Sequence, residues 1–236
     1  MQKKSIKNNI ILVVLFFLPV VIVLFLYTTD HNNSTLDIVK ENVLDLENLT
    51  SIQSNNVQFK DHITVLSFLG NNPESHILEA SNLKELVYNK FKGFKTFQLV
   101  TVIPFGAESK AERLRLELTK YKPLEYWKFI YASQSDINKL FSTLRTSKYL
   151  NYENFVSEVY VIDKELNQRG RLDDRTDKEI KKESQVYPLT SYNMSEVSVL
   201  KNKMSDDVRI VFTEYRQKRK GEFNSTTRRA NDLKAN

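Results

Sequence analysis

The chain has 236 residues, 35 Lys plus Arg against 29 Asp plus Glu, a formal net charge of +6 and no cysteine. Without cysteine there can be no disulfide, no thiol redox chemistry, no cysteine nucleophile and no thiolate metal site. The five glycines, Gly70, Gly93, Gly106, Gly170 and Gly221, match the spacing of neither a phosphate loop nor a dinucleotide fingerprint.

The positive charge is concentrated at the two ends. Residues 1–9 carry +3 from Lys3, Lys4 and Lys7, residues 215–236 carry +5, and the body between them carries −2. A nearly neutral body argues against nucleic acid as a partner. Residues 10–27 form an apolar run broken only by Pro19. Eighteen residues of helix reach about 27 Å, enough for the hydrocarbon core of a bilayer. Lys3, Lys4 and Lys7 precede the run and a polar stretch from Asp30 follows it, so the positive-inside rule predicts a cytoplasmic N-terminus. The bulky Phe25-Leu26-Tyr27 offers no small-residue cleavage site, which favours an uncleaved anchor over a signal peptide.

Residues 28–56 are expected to be a linker and N-terminal extension. Residues 57–220 are expected to be one extracytoplasmic domain. Val57-Gln58-Phe59 reads as a short extended piece. Ile63 to Leu69 is rich in β-branched and aromatic residues and stops at Gly70, the pattern of a buried strand. Pro73 suits a first helical turn, and Ile77, Ala80, Leu83, Leu86, Val87 and Phe91 recur at helical spacing up to Gly93. Further strands are predicted at Phe97–Ile103, Trp127–Tyr131 and Val159–Ile162, with a turn at Asp163–Asn167 and a hairpin partner at Gln168–Leu172. Helices are predicted at Ala107–Leu118 and after the caps Ser133 and Ser135. A last helix is predicted from Ser195 to Lys220, burying Val197, Leu200, Met204, Val208, Val211 and Phe212. Strands joined by helical crossovers imply parallel neighbours, and the terminal hairpin adds an antiparallel edge. The fold class is therefore α/β, with the element order of a thioredoxin-like sheet of the peroxiredoxin type and flanking helices, preceded by one transmembrane helix.

In such a fold the chemistry sits where the first core strand turns into its helix, because the helix start offers backbone N–H groups and positive partial charge. Here that junction is Phe68-Leu69-Gly70-Asn71-Asn72-Pro73-Glu74-Ser75-His76. The segment resembles the junction of the SCO/SenC family, membrane-anchored thioredoxin-fold proteins that handle copper for cytochrome c oxidase. The family motif is Cys-Pro-Asp-x-Cys, with a third ligand, His, five residues before the Tyr of a late strand like Tyr-Leu-Ile-Asp. Aligned on Pro73, Asn72 and His76 fall on the two cysteines and Glu74 on the acid; Tyr160-Val161-Ile162-Asp163 matches the late strand and puts Phe155 at the His position. The resemblance thus implies three degenerate ligand positions, Asn72, His76 and Phe155. A copper site of that kind needs two thiolates and an imidazole, so no metal and no cofactor is expected. What remains is a candidate partner-binding junction of Asn71, Asn72, Pro73, Glu74 and His76.

Asp173-Asp174 and Asp206-Asp207 are paired carboxylates, but adjacent acids on a solvated loop or helix face are the commoner case, and Arg169, Arg171 and Arg175 can neutralise the first pair. Ser67, Ser75 and Ser109 lack a recognisable base. Tyr121, Tyr126, Trp127, Tyr131, Tyr149 and Tyr152 give an aromatic middle suited to core packing and to a partner face. Arg216 to Lys220 suits a helix C-terminus. In the tail from 221 to 236, contact with an anionic surface, lipid headgroups or an acidic protein, is the role its charge allows.

The expectation is therefore a non-enzymatic binding or assembly factor. It touches the lipid bilayer through one helix, presents its domain on the periplasmic or extracellular side of a bacterial inner membrane, and meets a protein partner there. By resemblance it is linked to respiratory oxidase biogenesis. The alternative is a structural or docking subunit of a cell-envelope machine.

Overall fold

The computed structural model describes residues 11, 13–21, 35–49, 52–53, 57–120 and 122–221. Its strands are β1 (Asp37–Lys40), β2 (Ile52–Gln53), β3 (Ile63–Leu69), β4 (Phe97–Pro104), β5 (Trp127–Ala132), β6 (Phe155–Ile162), β7 (Gln168–Gly170) and β8 (Tyr192–Asn193). They join in one sheet of order β1-β7-β6-β3-β4-β5-β2, with β8 also paired to β6. β3, β4 and β5 are parallel neighbours, whereas β6 is antiparallel to β3 and β7 to β6. This is a thioredoxin-like α/β arrangement, with the central strand β3 flanked by a parallel and an antiparallel partner.

The helices follow from the crossovers. A tight turn at Pro73–His76 leads into α1 (Ile77–Leu83), which continues through a wider turn at Lys84–Tyr88 to Phe91. α2 (Glu108–Thr119), α3 (Gln134–Ser142) and the short α4 (Asp177–Lys181) come next. α5 (Ser205–Lys220) follows a wide turn at Val199–Met204. Ser133 caps α3 by accepting the Asp136 N–H, as expected. α4 opens on a reciprocal capping box between Thr176 and Glu179.

Alternation along β3 divides the core. Val65 and Leu69 pack with Leu83, Leu99, Leu114, Leu200 and Val208 on one face. Leu66 and Phe68 pack with Val100, Ile130, Ile137 and Tyr160 on the other. A seven-residue strand buried on both faces is the expected state of a central strand in a sheet covered by helices. Ser67 is wholly buried within it. Its hydroxyl lies 2.7 Å from that of Thr101, which also accepts the Trp127 indole N–H at 2.8 Å. The hydroxyl is thus a satisfied rung across three strands, not a nucleophile.

Several expectations are corrected. The strand placed at Val159–Ile162 begins at Phe155, because its first half is held between β3 and β8. Val57-Gln58-Phe59 is not a strand; Phe59 is buried and its N–H donates to Asp45 Oδ1 at 2.7 Å. Asp37–Lys40, within the stretch read as linker and extension, forms the edge strand β1 on β7. Val197 is 50 % exposed, since the last helix turns its buried face inward only from Leu200 on.

Residues 11 and 13–21 are helical, and Leu15 and Phe16 are each 69 % exposed, so this helix buries no broad apolar face on the domain. Among the described residues no helix is long and apolar enough to cross a membrane. Much of the expected anchor at 10–27 lies outside the described residues, as do Lys3, Lys4, Lys7, His31, Tyr121 and the tail from 222 on.

Candidate functional site

The junction is shaped by a glycine. β3 ends at Leu69, and Gly70 takes φ +67°, a left-handed conformation that side chains disfavour. A Cβ there would lie 2.4 Å from the Glu153 carbonyl oxygen and 3.0 Å from the Phe155 nitrogen. The Asn71 N–H donates to that same carbonyl at 2.7 Å. The bare backbone at Gly70 thus lets the loop before β6 lie against the junction. Gly70→Ala is expected to destabilise the fold by at least about 2 kcal/mol, combining strained φ with overpacking. A urea midpoint unchanged from that of the original chain would show that the close approach is dispensable.

Pro73 occupies the first position of the following turn, where its missing N–H costs nothing. Asn72 precedes it without capping it. Its amide nitrogen instead donates to Glu153 Oε1 at 2.8 Å, and its amide oxygen accepts from Lys110 Nζ on α2. Lys110 reaches the Asn71 carbonyl as well. One turn further along α2, Arg113 grips Glu74 through two hydrogen bonds of 2.6 and 3.1 Å. That grip holds the Glu74 carboxyl below its ordinary pKa. Both partners are substantially exposed, so the pair adds little to stability and serves to fix Glu74 in place.

His76 lies flat on Phe155. Their ring centroids are 3.5 Å apart with planes 4° from parallel. Nε2 is buried and has no hydrogen-bond partner among the described residues. Burial pushes the imidazole pKa below its ordinary value, opposed by the charges of Glu79 and Glu153. The sign of the consequence follows. As pH falls below the ordinary value near 6.5, the unfolded chain takes up the proton before the folded one, so folding weakens. The loss stops once the folded imidazole is itself protonated. His76→Phe is therefore expected to flatten the acid side of the stability profile between about pH 7 and about pH 5. Urea titrations at several pH values check this; parallel profiles for the two chains would contradict it.

The structure thus brings together Asn72, His76 and Phe155, from two segments far apart in the chain, beside Asn71, Pro73 and Glu74. It adds three residues that sequence reasoning did not place there: Lys110, Arg113 and Glu153. The only advance signal was the three-residue spacing of Lys110 and Arg113, which puts two cations on one face of α2. On the rim of the junction, Tyr149 and Tyr152 are 87 % and 91 % exposed on the loop leading to Glu153.

These groups do not fit copper. Phe155 has no lone pair, the Asn72 amide is engaged on both atoms, and the imidazole is stacked against a phenyl ring. Among the described residues no group of three or more His, Cys, Asp or Glu could hold a metal ion.

The other candidates resolve as ion pairs. Arg175 pairs with Asp173, while Arg171 and Lys203 pair with Asp174. Asp206 is surface-exposed and pairs with Arg209. Asp207, read as solvated, is 1 % exposed; it accepts from Arg171 and from the Tyr192 hydroxyl at 2.7 Å. Burial still raises its pKa, and these donors lower it only in part. Arg169, expected with Arg171 and Arg175 to neutralise the Asp173-Asp174 pair, is instead buried with Asp163 and Glu214. Ser75 donates to the Asn72 carbonyl, and His62 contacts the Lys60 carbonyl far from the junction. Trp127 is core, and Tyr126 and Tyr131 are partly buried. Arg216 to Lys220 end α5, which Gly221 closes at φ 70°.

No family model matches the chain, and no curated protein matches it. Solved structures do resemble it. One is BsSco, a member of the Sco family of cytochrome c oxidase assembly proteins, at 14 % identity and TM-score 0.46, covering 75 % of this chain and 97 % of that one. The soluble domain of Sco1 from Bacillus subtilis gives 12 % identity and TM-score 0.43, covering 77 % and 95 %. The mitochondrial 2-Cys peroxiredoxin from Plasmodium falciparum gives 14 % and 0.39, covering 78 % and 98 %. At these values the likeness is one of fold and transfers no activity or residue role.

Proposed function

We propose that this chain is a membrane-anchored, extracytoplasmic protein of thioredoxin-like fold that binds a protein partner in respiratory cytochrome oxidase biogenesis and performs no redox or copper chemistry itself. One observation carries the reading. Asn72, His76 and Phe155, the positions that the Pro73 alignment assigns to metal ligands, meet at one junction and are filled by an amide, a stacked imidazole and a phenyl ring. A site whose ligands converge but cannot coordinate is suited to recognition.

Three further features support it. Glu74 and Asn72 are held rigid by Arg113, Lys110 and Glu153, so the junction presents a fixed polar surface at little entropic cost. Tyr149 and Tyr152 stand exposed beside it, and tyrosine is enriched in protein interfaces. The exposed apolar helix at 13–21 needs a nonaqueous environment, and Lys3, Lys4 and Lys7 ahead of it favour a cytoplasmic N-terminus in a bacterial inner membrane.

Copper titration of the intact chain in detergent tests the loss of the site. The expected result is no Cu(I) binding tighter than about micromolar. Tighter binding that His76→Ala abolishes would overturn the reading.

A further inference from the structure

At the end of the sheet remote from the junction lies a groove of about 780 Å³. One wall is the loop entering β4, with Gly93, Phe94 and Lys95; another is the outer face of α5; the third is the turn between β6 and β7, with Lys164. Its floor is aromatic: the rings of Phe94 and Phe212 are 4.4 Å apart, and Phe91 stacks on Phe212 at 5.8 Å. Its rim is basic. Lys95, Arg216 and Arg219 are exposed, and Lys164 lies over the Tyr215 ring at 5.3 Å. Among the described residues Glu165 is the one carboxylate lining it, and the Tyr215 hydroxyl donates to it. Phe94, at its edge, is 47 % exposed. The pull of the helix dipole accounts for basic residues at the end of α5. It does not account for Lys95 and Lys164, which come from two other elements and converge on the same rim.

We infer that this groove rests on the anionic phospholipid headgroups of the membrane surface and orients the domain on it. The inference rests on the membrane-anchored reading above. An exposed aromatic ring ringed by Lys and Arg is the composition that settles at a charged bilayer interface. The tether favours the lipid over an acidic protein. Leu36 shares an apolar cluster with Ile63 and Val211, against which Phe212 and Tyr215 of the groove wall pack. β1 then runs from Asp37, opposite Gly170, to Lys40, opposite Gln168, so the chain enters the domain about one short strand from the groove. From Tyr27 to Thr35 eight residue steps span at most about 28 Å. So short a tether keeps the groove within reach of the bilayer, where attraction to anionic headgroups acts within about one Debye length of 8 Å. β3 runs from Ile63, beside the groove, to Leu69, beside the junction, a rise of about 20 Å. With the groove on the lipid, Asn72, His76 and the exposed Tyr152 face away from the membrane, toward a partner.

The absence of cysteine makes a site-specific test direct. The full chain is reconstituted into phosphatidylcholine vesicles with and without phosphatidylglycerol, carrying nitroxide-headgroup lipid as quencher. One fluorophore is attached through Gly93→Cys, whose Cβ has open space around it, or through Tyr152→Cys. Strong quenching at position 93 that requires phosphatidylglycerol and fades in high salt is expected, with no quenching at position 152. Replacing Lys95, Lys164, Arg216 and Arg219 together with Gln should cut quenching at position 93 about tenfold while leaving the urea midpoint in place. Equal quenching in the two vesicle types, or stronger quenching at position 152, overturns the inference. So does saturable binding of inorganic phosphate or of polyglutamate that displaces the groove from the vesicles. If alkaline carbonate strips the chain from vesicles, residues 10–27 are not an anchor; the groove is judged separately, by the signal at position 93 before extraction.

Discussion

Arg169→Ala is expected to destabilise the domain by about 3–5 kcal/mol, read as a fall in urea midpoint at constant slope. Arg169 is wholly buried on β7. Its guanidinium donates to Asp163 Oδ2 at 2.9 Å, to the Leu36 carbonyl at 2.5 Å and to Glu214 Oε2. One side chain therefore ties together the turn after β6, the entry to β1 and helix α5. Removing it leaves two carboxylates in a low-dielectric interior. Asp163 keeps the N–H groups of Glu165 and Asn167. Among the described residues Glu214 keeps only Lys218, at 3.2 Å. The cost is that of stranded charge rather than of a lost attraction. Combining Arg169→Met with Asp163→Asn and Glu214→Gln should accordingly restore much of the loss. If the triple variant is as unstable as Arg169→Ala, packing around the guanidinium, not charge, is what holds these elements.

Joint replacement Asn72→Cys, His76→Cys and Phe155→His is expected to create copper affinity where the original chain has little. The stacked rings of His76 and Phe155 show that these side chains share one space, and Asn72 stands at the start of the same turn as His76. Pro73 already matches the resembled motif, and Glu74 puts a carboxylate one methylene longer at the position of its Asp. Two thiolates and an imidazole would then converge, a donor set suited to copper. We expect a gain of at least about a thousandfold in affinity, equivalent to about 4 kcal/mol, with thiolate-to-copper absorption under reducing conditions. A folded triple variant without that gain would mean that the alignment on Pro73 is out of register and that the junction was never such a site.

How much of this was legible depends on whether the signal was local. β3 and β4 were, because dense β-branched runs end at Gly70 and Pro104. The turn at Pro73 was, because proline fixes its own dihedral and tolerates the first helical position. β1 and β8, of four and two residues, were not, since pairing with β7 and β6 stabilises them rather than any propensity of their own. The first half of β6 was hidden for a related reason. Phe155 to Glu158 mixes apolar and polar residues, and Glu158 is buried where it pairs with Asn193 of β8. At the junction, the positions on the chain segment itself were readable. The residues that lock them, Lys110, Arg113 and Glu153, lie 38 to 81 residues away and only the fold brings them in. Arg169 shows the same limit in reverse. Proximity in sequence suggested the Asp173-Asp174 pair, but its partners are six and 45 residues off.

Whether the junction meets a protein partner can be asked directly by site-specific photo-crosslinking in native membranes. A photoreactive residue replaces Tyr152 on the exposed loop beside Glu153, and a second chain carries it at Leu78, on the exposed side of α1. Crosslinks are expected from position 152 to subunits or assembly partners of a respiratory oxidase, reduced when Glu74 and Asn72 are replaced by alanine, and few from position 78. Crosslinks from position 152 to surface-assembly or secretion components, or products from position 78 alone, would contradict the proposed function.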